Sequence, residues 1–104
     1  MVDEVLYRRG TIAVRRLRLG LGEATPWHRD PFHRVTVIIQ GDALAVEQRD
    51  SGDRHSLAVT PGQVDWDEPL DRPHRAVNVG AHTYEEIAVF FLDRPDAVLQ
   101  PTLG

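Results

Sequence analysis

A chain of 104 residues has room for one small domain, and its 41% apolar and 27% charged content is typical of a globular protein. The formal net charge is −4 and lysine is absent, so the sequence lacks the clustered basic charge of a nucleic-acid-binding protein, and we expect no nucleic-acid partner. Cysteine is also absent, which excludes disulfides, thiolate catalysis and Cys-based zinc sites.

The N-terminus carries no signal-peptide pattern, because Asp3 and Glu4 stand where such a peptide has positive charge. No run approaches the ~20 apolar residues that a membrane helix needs. We therefore expect a cytoplasmic protein without a membrane partner.

The local pattern is that of β-strands throughout. Residues 11–21 alternate in their second half, with leucines on one face and Arg16 and Arg18 on the other. The run Arg15, Arg16 and Arg18 is interpreted as a solvated strand face. Gln40-Gly41-Asp42 is a tight hairpin signal between two β-prone runs. In chain order we predict strands at residues 11–21, 33–40, 42–48, 55–60, 63–67, 75–79 and 84–92.

Strands of this length and spacing favour an all-β sandwich or barrel, since no segment shows a capped helical pattern. The runs 35–39 and 87–92 are apolar on both faces, whereas a strand half-exposed to water would alternate. We expect a second sheet, terminal segments or a second copy of the chain to cover these faces, and we favour a homodimer. The barrel is predicted to span residues 1–93, followed by an extended tail over 94–104.

The sequence His28-Arg29-Asp30 is the strongest candidate for chemistry. Residues at i and i+2 of a strand point to the same side, so His28 and Asp30 can converge on one point, with His74 reaching it from another strand. Two imidazoles and one carboxylate suit a divalent metal with open positions for a substrate. The alternative is an ion pair of Asp30 with Arg34, with both histidines as hydrogen-bonded pocket residues and no metal.

Two spacing frames surround these residues. The first has the form Gly-x5-His-x-Asp-x3-Arg-x6-Gly and runs from Gly22 to Gly41. The second has the form Pro-x-Asp-x2-His-x3-Asn and runs from Pro69 to Asn78. Together they resemble the paired motifs of the cupin superfamily, whose members are small double-stranded β-helix barrels. This resemblance implies a cupin-type all-β fold and, where a metal is bound, dioxygenase- or isomerase-like chemistry with Fe, Mn, Ni or Zn.

The first motif departs from the cupin pattern at two positions. An intact motif has histidine where Asp30 stands and glutamate where Arg34 stands. A guanidinium cannot ligate a metal, so the resemblance implies His28 and His74 as ligands with Asp30 as a substitute. A one-residue bulge would allow His33 to replace the missing glutamate.

The remaining pocket assignments concern Arg34, Trp66 and Asn78. Arg34 would orient an anionic substrate, Trp66 would line the pocket, and Asn78 would support His74 through the second ring nitrogen. Two functions stay open: a metal-dependent enzyme acting on a small molecule, or a metal-free module that binds or senses a small polar or anionic ligand. The sequence names no substrate and does not decide whether the protein is an enzyme.

Overall fold

The computed structural model describes residues 1–99. They form nine strands. The strands are β1 (Val2–Arg9), β2 (Ile12–Leu19), β3 (His28–Asp30), β4 (His33–Gln40), β5 (Ala43–Gln48), β6 (Arg54–Ala58), β7 (Val64–Asp67), β8 (Leu70–Asn78) and β9 (Tyr84–Phe91). Within this range there is no helix that could cross a membrane. The prediction of an all-β domain is therefore confirmed.

The strands form two antiparallel sheets. One has five strands in the order β1-β2-β9-β4-β7, and the other has four in the order β3-β8-β5-β6. Consecutive strands of the chain repeatedly change sheet, as in a rolled barrel. In β2, side chains that face the interior alternate with side chains that are half-buried or exposed. Every second residue is therefore buried, as the alternating leucines of residues 11–21 predict.

The structure adds a strand at the N-terminal end of the predicted set and lengthens one of the later strands. β1 was not predicted, because its side chains are almost all exposed and show no apolar alternation. It pairs with β2 across the turn at Gly10, whose φ of 57° favours glycine. β8 begins at Leu70 rather than at residue 75, so it carries His74 well inside a strand.

The predicted hairpin at Gly41 is wrong. β4 belongs to the five-stranded sheet and β5 to the four-stranded sheet, so the turn connects the two sheets instead of pairing neighbouring strands. A bulge between Ile38 and Gln40 bends β4 before the turn. Gly41 has a φ of 129° and lies against Tyr84, where a side chain would have no room.

The core consists of two clusters of buried apolar side chains. The first contains Ala13, Phe32, Ala88, Phe90, Leu92 and Ala97, and the second contains Leu17, Leu19, Ile38, Leu44 and Tyr84. Ala97 belongs to the predicted tail, and the Arg8 guanidinium donates to its carbonyl and to that of Pro95. Residues 94–99 thus pack on the barrel, while the rest of the predicted tail, residues 100–104, lies outside the described residues.

The outer face of the five-stranded sheet has an apolar patch, with the charged residues Arg16, Arg18 and Glu85 at one end of the face. Val14, Val89 and Val35 lie side by side across its three central strands. At the β7 edge, the Trp66 ring stacks on Phe91 with 5.7 Å between ring centroids, and both side chains are exposed. We propose that a second copy of the chain covers this face, since a broad apolar sheet surface marks an interaction site.

A charge placed in the middle of this face should separate the copies. We expect the wild type to elute with about twice the chain mass of 11.7 kDa, and Val89→Arg to elute as a monomer, in size-exclusion chromatography with light scattering. Leu21→Arg, which changes an exposed leucine in the turn after β2, is the control and should leave the mass unchanged. A monomeric wild type at high concentration would contradict the proposal.

Candidate functional site: a buried His-Asp-His cluster

β3 and β8 bring the three predicted ligands together. His28 lies directly opposite His74 in this antiparallel pair, and a register shift follows before Asp30. All three side chains are buried. The Nε2 atoms of His28 and His74 lie 3.2 Å and 2.9 Å from Asp30 Oδ2. The two rings are 4.5 Å apart, and the three residues form a group that could hold a metal ion.

The second nitrogen of each ring is held by the backbone. His28 Nδ1 lies 2.7 Å from the Pro26 carbonyl, and His74 Nδ1 lies 2.7 Å from the Arg72 carbonyl. A carbonyl oxygen only accepts, so both Nδ1 atoms carry the proton and donate. A neutral ring then presents a bare Nε2 that is available to a metal ion, as in metal-binding histidines, whereas a protonated ring donates from Nε2 to Asp30.

The spacing of the three atoms fits a common metal ion. Two ligand atoms about 2.1 Å from a metal and about 90° apart lie about 3.0 Å from each other. The two Nε2–Oδ2 distances of 2.9 and 3.2 Å are close to this value. Oδ2 and a neutral Nε2 are both acceptors, so their contact requires a bridging cation, which is either a proton or a metal ion. The donor set therefore fits a divalent metal.

Arg34 occupies the position where the cupin motif has glutamate, and it pairs with two acids. Its Nη1 donates to Asp30 Oδ2 over 3.1 Å, and its Nε donates to Asp67 Oδ2 over 3.3 Å. The Thr36 hydroxyl also donates to Asp67, over 2.7 Å. The guanidinium lies over the Phe90 ring at 5.8 Å. Arg34 is thus held between β3 and β7 rather than pointing away from the site.

The electrostatics keep Asp30 ionised. Burial alone would raise the pKa of this carboxyl, but hydrogen bonds from both histidines and the charge of Arg34 outweigh it and lower the pKa well below its usual value. The pKa of Arg34 is raised, because the charges of Asp30, Glu86 and Asp67 outweigh its desolvation. The site therefore contains an ionised carboxylate, that of Asp30, in contact with the charged guanidinium of Arg34.

The cluster opens into a cavity of about 250 Å³ between the two sheets. Its wall is apolar on one side, where Leu17, Leu44 and Leu70 lie, and polar on the other. The ionisable side chains that line it are Arg15, His28, Asp30, Arg34, Asp67, Glu68, His74 and Glu86. The cavity is thus more strongly charged than a typical apolar ligand pocket, and its charged groups converge on one space, which suits a small polar or charged molecule.

Two predicted site residues, His33 and Asn78, lie elsewhere than expected. The bulge that His33 would need is absent, since the register of β4 with β9 is regular from His33 to Ile38 in this described stretch. His33 is exposed, and its Nδ1 pairs with Glu68 at 3.0 Å. Trp66 is among the residues that line the cavity, as predicted, and its ring also stacks on Phe91. Asn78 does not contact His74, whose Nδ1 donates to Arg72 instead.

Asn78 has a different role, since it ties three chain segments together. Its Nδ2 lies within hydrogen-bonding distance of the carbonyls of Leu19, Gly20 and His82, and its Oδ1 accepts from the Gly80 amide. The side chain is 1% exposed. It fastens the end of β8 to the end of β2 and to the loop before β9.

The sequence reasoning missed Arg15, Tyr84 and Glu86. Arg15, predicted on a solvated face, is 3% exposed and lines the cavity. The signal was strand parity, since Arg15 shares a face with Leu17 and Leu19 in an alternating strand. By the same parity, Tyr84 and Glu86 share the interior face of β9 with Phe90.

Comparison with known proteins finds similarity only at the level of structure. No protein-family model matches the sequence, and no curated protein matches it significantly. A cupin domain from Bordetella pertussis Tohama I superposes with a TM-score of 0.75 and 19% identity, over 86% of this chain and 90% of that chain. An RmlC-like cupin family protein from Methanocaldococcus jannaschii, with a double-stranded β-helix fold, superposes with a TM-score of 0.69 and 20% identity. The match covers 88% of this chain and 79% of that chain.

An enzyme also has this fold. Oxalate oxidase in complex with glycolate superposes with a TM-score of 0.61 and 19% identity, over 86% of this chain but 46% of that one. These likenesses identify the chain as a small cupin-fold domain, and the fold implied by the two spacing frames is confirmed. Together, fold and cluster define a cupin barrel with a possible His-Asp-His metal site.

The contacts of Asn78 predict a large structural effect. Asn78→Ala should lower the free energy of unfolding by about 2–4 kcal/mol, because three buried carbonyls and one amide lose a partner. Urea denaturation followed by fluorescence measures this change. Asn78→Asp should cost as much or more, since it places an acceptor against those carbonyls. A loss below about 1 kcal/mol in both variants would contradict this role.

Proposed function

We propose that the barrel binds one divalent metal ion through His28 Nε2, Asp30 Oδ2 and His74 Nε2, and that a small anionic molecule binds beside it in the cavity. Three protein ligands leave positions free for that molecule, as in catalytic rather than structural sites. Such a metal polarises a bound oxygen-containing substrate or activates oxygen, which is dioxygenase- or isomerase-like chemistry.

The observation that carries the proposal is the orientation of the two histidines. Both Nδ1 atoms are committed to backbone carbonyls, and both Nε2 atoms face one carboxylate oxygen. Two protons could also bridge these contacts, and they would bring the same charge as one divalent metal. A metal ion would instead satisfy both Nε2 lone pairs and the carboxylate from a single point.

The surrounding charge supports a monoanionic ligand. The inner cavity wall carries the carboxylates of Asp30, Asp67 and Glu86 and the guanidiniums of Arg15 and Arg34, an excess of one negative charge. The carboxylate of Glu68, at the rim, is 71% exposed and screened by water. A divalent metal would leave one positive charge, which a single carboxylate neutralises.

Arg34 is the residue that would place this anion. Its guanidinium has five N–H donors, of which only some are used by Asp30 and Asp67, and it adjoins the cluster without ligating a metal. Most of the Arg34 side chain is buried, and a charge pair there is stronger than one in bulk water. Oxalate oxidase, which shares the fold, is described with glycolate bound, and glycolate is a small monoanion of the kind proposed here.

A metal-free binding module is the second candidate, favoured by the 3.1 Å contact of Arg34 with Asp30. In that case the histidines and Asp30 form a closed polar cluster, and Arg34 binds an anion without a metal. The two candidates differ in one measurable respect, which is whether glycolate binding depends on a metal ion. Binding of glycolate to chelator-treated protein, equal to that of metal-loaded protein, would favour the module.

Metal binding is tested directly on chelator-treated protein. Titration with Ni²⁺ or Co²⁺, followed by calorimetry, should give one site per chain in the micromolar range or tighter. His28→Ala and His74→Ala should each weaken binding at least about 100-fold, because each removes one of three ligands. His55→Ala, at an exposed histidine on β6, is the matched control and should bind as the wild type does. Equal binding by all four proteins would overturn the proposed site.

The effect of Arg34 on the site is predicted separately. Arg34→Glu should strengthen metal binding about tenfold or more, because it removes a positive charge beside Asp30 and adds a carboxylate at the position where the cupin motif has one. Arg34→Met, which removes the charge without adding a ligand, should give a smaller increase. Both variants should lose glycolate binding. Weaker metal binding in Arg34→Met would mean that Arg34 supports the cluster rather than opposing the metal.

A further inference from the structure

A second cavity adjoins the first on the other side of Arg34. Its volume is about 370 Å³. One part of its wall is aliphatic and consists of Ile38, Leu44, Val46, Leu57, Ala58 and Val59. Arg34 and Glu86 line both cavities, so they stand at the boundary between them. None of His28, Asp30 and His74 lines this second space.

Glu86 is the buried acid of this cavity. It lies in the middle of β9, between Leu17 of β2 and Ile38 of β4, and is 5% exposed. The Tyr84 hydroxyl donates to its Oε1 over 2.7 Å. Burial first, and then the charge of Glu86, raise the pKa of Tyr84 above its usual value, so this phenol remains a donor at neutral pH.

The other carboxylate oxygen of Glu86 is not satisfied. Oε2 is buried and has no hydrogen-bond partner in the structure. The Arg15 guanidinium is 3.5 Å away, which gives a charge contact without a hydrogen bond, and Arg15 itself lines only the first of the two cavities. A buried carboxylate with an oxygen that lacks a donor is costly, and Glu86 is one of the residues that line the second cavity, so a ligand donor bound there could pair with this carboxylate.

The charges of the second cavity favour a cation as that donor. Its wall contains the carboxylates of Asp65, Asp67 and Glu86 against the single guanidinium of Arg34. Arg34 is already paired with Asp67 and with Asp30, and Asp65 accepts from the Gln63 side chain. An N–H donor that also carries positive charge would pair with Glu86 more strongly than a neutral donor.

We infer that the second cavity is a binding site for an alkylammonium group, with the ammonium beside the Glu86 carboxylate and the alkyl chain against the aliphatic wall. This site does not depend on the metal site proposed above, because the two share no metal ligand. A molecule that fills both cavities would carry an anionic end beside Arg34 and an ammonium end beside Glu86.

The probe for this site is n-butylammonium at neutral pH, with n-butanol as its neutral counterpart. Titration of isotope-labelled, chelator-treated protein, followed by NMR chemical shifts, should show saturable binding of n-butylammonium and at least about tenfold weaker binding of n-butanol. The shifted amides should include those of β9 and β6. Glu86→Gln should weaken n-butylammonium binding about tenfold or more while leaving n-butanol binding unchanged.

Two variants keep the result interpretable. Glu85→Gln makes the same change one residue earlier, where the acid is paired with Arg18 and Gln40 instead of facing the cavity, and should bind n-butylammonium normally. This control separates loss of the Glu86 carboxylate from disturbance of β9. His28→Ala should bind as the wild type does, so failure of the metal proposal leaves this one standing. Absent binding to the wild type, or equal binding to Glu86→Gln, would overturn the inference.

Discussion

The burial of one carboxylate, Asp30, organises the interior of this barrel. An ionised carboxylate inside a small β-barrel is tolerated only when cations or donors surround it, and here both histidines and Arg34 converge on its Oδ2. Those contacts in turn constrain the strands that carry them, because β3, β4 and β8 must hold their side chains at one point. Asp30 links the two sheets through its contact with Arg34, since β3 and β4 belong to different sheets.

The ligand cluster could be predicted because it follows from rules that are local in the chain. His28 and Asp30 share a strand face by parity, and the spacing of the second frame sets His74 apart on another strand. Parity also held where the interpretation of the sequence went against it, since Arg15 faces the interior with Leu17. The charged identity of Arg15 suggested a solvated face, and the alternation of its neighbours was the better guide.

Other features depend on contacts between distant segments, which no local pattern encodes. β1 is mostly exposed and is a strand only because β2 offers it an edge. The residues around Gly41 have the composition of a hairpin turn. Whether β5 pairs with β4 or joins the other sheet depends on the bulge before the turn. Asn78 was assigned to the pocket by its spacing from His74, whereas its hydrogen bonds go to Leu19, Gly20 and His82, far along the chain or in the adjoining loop.

The exchange of glutamate for arginine at position 34 changes what the site can do, not only how tightly it binds a metal. A glutamate would fill a coordination position and add negative charge, whereas Arg34 leaves that position open and adds positive charge next to it. A cation in the cluster would then lie beside a guanidinium with unused donors, and the two would attract the same anion from adjacent sides. In the proposed site the missing carboxylate would weaken the hold on the metal, and the added charge would select the molecule that completes its coordination. Glu86 would extend this selection into the second cavity, because it lines both cavities with Arg34 and has the opposite charge.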